Sequence, residues 1–100
     1  MKFILKSSEI KDNVSNVMRK ISYISQGRSD DGEYNLVRPF SRDGYPRFHL
    51  YLKIEGEDFI FNLHLDQKRP IYSGVSAHSG EYESETVKKE GERIKQILNI

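Results

Sequence analysis

The chain has 100 residues, 36% of them hydrophobic and 31% charged, with a net charge of +1 and no cysteine. That length supports one domain with a single modest core, and the missing thiols exclude disulfides, thiolate metal sites and cysteine nucleophiles. Sixteen basic residues against fifteen acidic ones leave no general excess for coating nucleic acid, so any basic patch must come from arrangement.

The start MKFILK has three consecutive apolar residues. A secretory signal needs roughly 7–15 and a membrane span roughly 20. The expectation is a soluble, cytoplasmic protein with no membrane partner. Residues 2–6, KFILK, can add a short N-terminal strand. In the segment after them, Ile10, Val14, Val17, Met18, Ile21 and Ile24 recur at helical spacing. This predicts an amphipathic helix over about 8–26, capped by Ser7 or Ser8 and ended by Gly27. RSDDGE then reads as a turn. A strand follows over 33–40, with Tyr34, Leu36 and Phe40 on one parity and Pro39 marking an end or edge.

Residues 47–66 carry the clearest pattern. Phe48, Leu50, Leu52 and Ile54 alternate with Arg47, His49, Tyr51 and Lys53. After EGED, Phe59, Phe61, Leu63 and Leu65 alternate with Ile60, Asn62, His64 and Asp66. Strict alternation predicts strands 47–55 and 58–66, each with one buried face. Gly56-Glu57 suits a two-residue turn, which pairs Glu55 with Asp58. Counting back sets Ile54 opposite Phe59, Leu52 opposite Phe61 and Leu50 opposite Leu63. On the other face Tyr51 meets Asn62, His49 meets His64, and Arg47 meets Asp66. A slip of one residue would break every match, so the register is strongly specified.

An irregular loop over 67–83 leads to a helix over about 84–98, capped by Ser84. Its inward stripe is Val87, Gly91, Ile94, Ile97 and Leu98. Gly91 on that stripe costs helix stability and implies close approach of the helix to the sheet. The expected architecture is one α+β domain spanning 1–100. It has a small antiparallel sheet of three strands, a fourth if the N-terminal segment joins, and two helices packed on one face.

Two helices cover one face of such a sheet and leave the other open. That open face would carry Arg47, His49, Tyr51, Lys53, Asn62, His64 and Asp66. The loop would rim it and bring Lys68, Arg69, His78 and Tyr82. A plain solvated surface explains lysines and glutamates but not opposed histidines beside an Arg–Asp pair. Four uses of the face follow. Flat rings and cations suit an anionic ligand, with RNA or a nucleotide as the leading expectation. His49 and His64, with His78 as a further candidate, suit acid–base hydrolysis of a phosphodiester. No cofactor is required, yet His49, His64 and Asp66, joined by His78 or Glu81, could hold a divalent metal such as zinc or iron. The same face could also close a homodimer.

The strings RFHLYLK, NLHLDQK and AHSGEY together resemble a family of small bacterial proteins of uncharacterised activity. The resemblance runs from about Tyr34 to Leu98. It implies no activity, ligand or partner to carry over.

Overall fold

The structure, a computed structural model, describes residues 1–67, 80–81 and 84–98. Lys68, Arg69, His78 and Tyr82, expected at the site, lie outside the described residues. KFILK does form a strand, β1 (Lys2–Lys6). Two short helices follow, α1 (Ser7–Ile10) and α2 (Val14–Ile21), and then a strand, β2 (Ile24–Arg28). The expected helix over 8–26 is therefore corrected in two places. It breaks at Lys11, which is left-handed at φ 58. It restarts at Asn13, whose side chain accepts the Asn16 N–H at 2.9 Å. An Asx cap offers the backbone an alternative to continuing the first helix, and here it wins. Neither Ser7 nor Ser8 is the cap: Lys6 precedes α1 without a side-chain cap bond.

The second correction is at the far end. Ser22 turns left-handed at φ 68 and its N–H closes α2 onto Arg19 and Met18 carbonyls. Beyond it Tyr23 is buried while Ile24 is 60% exposed. Ile24 kept helical spacing by coincidence, because pairing with the next strand is what places it. Gly27 ends no helix. It sits at a bulge in β2 with φ 121.

RSDDGE turns the chain, with Gly32 N–H donating to Ser29 O at 2.9 Å. Strand β3 (Tyr34–Pro39) ends at the proline, and Phe40 lies beyond it, exposed but tilted against Phe48 at 4.9 Å. Strands β4 (Arg47–Glu55) and β5 (Asp58–Asp66) have the expected bounds, and all of the counted pairs hold, from Glu55–Asp58 to Arg47–Asp66. A two-residue strand, β6 (Gly80–Glu81), interrupts the expected loop and pairs with the end of β5. Helix α3 (Glu85–Ile97) starts at Ser84, whose hydroxyl accepts the Val87 N–H at 3.3 Å.

The sheet is antiparallel and runs β1-β5-β4-β3-β2, with β6 beside β5. It is thus wider than the three or four strands expected, and the described helices number three. β1 covers the edge of β5 that a two-stranded hairpin alone would leave open. Phe3 stacks on Phe61 at 4.8 Å, continuing the apolar face outward. Leu36, Phe48, Leu50, Leu52, Phe59, Phe61, Leu63 and Leu65 form one core with Ile10, Val17, Ile21, Val87, Ile94 and Leu98 of the helical segments. All the helices therefore lie on one face of the sheet. Ile97, expected inward, is 37% exposed.

Glu90 takes an inward place instead and is 4% exposed. Its carboxylate accepts from Tyr23 Oη at 2.7 Å, from Arg38 Nε and Nη2 at 3.0 and 2.9 Å, and from Arg93 Nε and Nη2 at 2.8 and 2.9 Å. Arg93 also donates to the Ile21 carbonyl at 2.6 Å, which satisfies the end of α2. One buried acid thus ties α2, β3 and α3 together. Burial pushes its pKa up, but the bonds from Arg93, Arg38 and Tyr23 outweigh this and hold it below the usual carboxylate range.

Gly91 does mark a close approach, and its partner is Met1. A Cβ at position 91 would lie 2.5 Å from Met1 Sδ and 2.6 Å from Cε, with Phe3 behind at 3.7 Å. Alanine here would gain about 1 kcal/mol of helix propensity and lose a comparable amount by displacing a flexible thioether. Gly91→Leu has no such balance. It is expected to lose about 1–3 kcal/mol by overpacking, while Gly91→Ala stays within about 1 kcal/mol of the parent in urea unfolding. Equal stability of the leucine variant would show that this helix can lift off the sheet without cost.

Candidate metal centre

The strand pairings lay out the face opposite the helices in rows. Asp66, Arg47 and Pro39 stand side by side, then His64, His49, Val37 and Ile24, then Asn62, Tyr51, Asn35 and Gly27. The face is less open than expected from sequence. His49 and His64 are 7% and 8% exposed, and Val37 beside them is 2% exposed. Part of the cover is mutual. The histidine rings sit 4.8 Å apart, and Tyr51 stacks on His49 at 4.5 Å and on His64 at 5.8 Å.

Asp66 is the centre of the cluster. His49 Nδ1 lies 2.9 Å from its Oδ2, His64 Nε2 lies 2.8 Å from its Oδ1, and Arg47 Nε donates to Oδ2 at 3.1 Å. The alternation explains this convergence: residues 47 and 49 of β4 and 64 and 66 of β5 share one face and adjacent rows. Burial pushes the Asp66 carboxyl up, but the bonds from His49, His64 and Arg47 prevail and hold it far below the usual carboxylate range. It is a carboxylate at neutral pH.

Asn35 completes the arrangement, and sequence reasoning did not select it. Its Oδ1 lies 2.5 Å from His49 Nε2. A carbonyl oxygen only accepts, so Nε2 is the donor in this pair. The other nitrogen, Nδ1, is the one that faces Asp66. Metal-ligating histidines characteristically give their second N–H to such a carbonyl or carboxylate. A signal for Asn35 existed: it has the opposite parity to Tyr34 and Leu36. However, β3 joins β4 through a loop over 40–46, so no short turn set its register.

The other expected residues sort by distance from Asp66. Arg47 and Tyr51 belong to the cluster. Asn62 neighbours Tyr51 across the strands but is exposed. Lys53 lies farther along β4 and pairs with Asp31 at 3.7 Å and Glu55 at 4.0 Å.

Ligand atoms of His49, His64 and Asp66 all lie within 4.8 Å of one another. Around zinc, with bonds of roughly 2.0–2.2 Å, tetrahedral donors stand about 3.4 Å apart. The hydrogen-bonded pairs here are closer than that, and the widest pair reaches at most 4.8 Å. Side-chain shifts on the order of 1 Å would bring them to zinc distances. Two imidazoles and one carboxylate from neighbouring strands are also a donor set that suits zinc, or iron(II) with open positions.

No protein-family model matches the chain, and neither a curated protein nor a solved structure does. The resemblance drawn from RFHLYLK, NLHLDQK and AHSGEY therefore gains neither support nor contradiction. Among the described residues no helix is long and apolar enough to cross a membrane.

Proposed function

We propose that this protein binds a divalent transition metal through His49 Nδ1, His64 Nε2 and a carboxylate oxygen of Asp66. The observation that carries the reading is the convergence of those three donors on one half-buried spot, with Asn35 holding the far nitrogen of His49. Three protein ligands leave coordination positions open, and a metal held this way binds and activates an oxygen ligand such as water. Hydrolysis is the chemistry that follows from it. A surface that attracts RNA or a nucleotide by its own charge draws less from the geometry, because Arg47 and Lys53 both pair with carboxylates.

Calorimetric titration with zinc, and with cobalt(II) followed by its visible absorption, tests the reading. The expected result is one ion per chain. His49→Ala and His64→Ala should each remove most of the affinity. Asn35→Leu should keep the ligands and still weaken binding about 10–100-fold, as loss of an outer-shell partner does. A folded parent protein that takes up neither ion at micromolar concentration would sink the proposal.

A further inference from the structure

The residue beside the three donors is a cation, and its placement bears on what the metal would hold. Arg47 uses Nε on Asp66, while its guanidinium carbon lies 4.4 Å over the Tyr45 ring. The ring fixes the plane of the group from one side and the carboxylate fixes its edge. The N–H groups on its two Nη atoms have no hydrogen-bond partner among the described residues, and neither atom is sealed from solvent without one. Arg47 is thus oriented with donor capacity to spare, next to a carboxylate that would ligate the ion.

The charges point the same way. Asp66 and Arg47 offset each other, and ligating imidazoles are neutral. A divalent ion then leaves two positive charges uncompensated on a half-buried floor. An oxyanion in the open coordination positions answers both. One oxygen takes the metal, and the planar Arg47 fork takes the others.

Resting on the metal reading above, we infer that the loaded centre binds a phosphoryl group, free or esterified, between the ion and the Arg47 guanidinium. Lysine could supply the charge at this position but not the fork. Without the ion, the pair with Asp66 cancels the charge that would draw the anion, so binding should depend on metal.

The test uses the full chain loaded with zinc, with inorganic phosphate and a dinucleotide phosphodiester as probes, read by calorimetry and amide chemical shifts. Expected is metal-dependent binding of phosphate, of the phosphodiester, or of both, the split telling a free from an esterified ligand. With zinc held saturating for each protein, Arg47→Gln should weaken it at least tenfold; zinc affinity is titrated separately, because Arg47 also donates to the ligand Asp66. Arg47→Lys, which keeps the charge, should fall between. A zinc-loaded parent that binds neither probe overturns the inference, and so does an Arg47→Gln variant that binds them as the parent does. Failure of the parent to take up zinc is a separate outcome, and it overturns the metal reading instead.

Discussion

Glu90→Ala is expected to cost about 3–5 kcal/mol of folding stability, the scale for removing one partner of a buried ion network. The reason is the set of donors left behind. Arg38 and Arg93 both direct two nitrogens at this carboxylate, and the Tyr23 hydroxyl donates to it as well. Alanine leaves three groups facing a cavity without an acceptor. Arg93 would also lose the anchor that holds it against the Ile21 carbonyl, so the end of α2 should loosen with it. Urea unfolding gives the magnitude, and amide exchange near Ile21 gives the location. A loss under about 1 kcal/mol would mean that the arginines find water at little cost.

The same residue sets an acid dependence. Its pKa is held below the unfolded value, so its contribution is complete above the ordinary glutamate value near about 4.3. It is lost as pH falls through the folded value. Glu90→Gln should therefore flatten the decline of stability below about pH 5 relative to the parent. A parallel decline in both proteins would place the acid sensitivity elsewhere.

Asp66→Asn should produce the second large effect, and on two readouts. An amide matches a carboxylate in size, but one end donates instead of accepting. It therefore faces His49, His64 or Arg47 with the wrong polarity. Loss of a charged acceptor shared by three donors is expected to cost about 2–3 kcal/mol in the metal-free protein. Zinc at one hundred times its dissociation constant should stabilise the parent by about 2.7 kcal/mol, and the variant by a small fraction of that. Zinc stabilisation that survives in Asp66→Asn would remove Asp66 from the ligand set.

The hairpin of β4 and β5 was legible because everything that specifies it is local. Two alternating runs flank a glycine turn, and Gly56 takes the positive φ of 57 that such a turn requires. The opposition of His49 with His64 and of Arg47 with Asp66 followed by counting. What the pairs do to one another did not. Both rows meet on a single carboxylate, which depends on the side-chain torsions and the packing of neighbouring rows. Glu90 was legible in part: it falls three residues after Val87 and four before Ile94, on the buried stripe. Its partners, Tyr23 and Arg38, are 67 and 52 residues away, and no spacing rule connects them.

Sequence alone determined the class of the fold, the two central strands and their register, the capped final helix, and the face on which the histidines stand. Short-range periodicity and turn chemistry suffice for those. Tertiary structure decided the rest. It drew Ile24, Ser25 and Gln26 out of a helical pattern and into an edge strand, because pairing with β3 outweighs weak helix propensity. It set β1 beside β5, buried the two histidines, and carried Asn35 to His49 Nε2. Each of those contacts joins segments that no short connection constrains, so only the assembled sheet could bring them together.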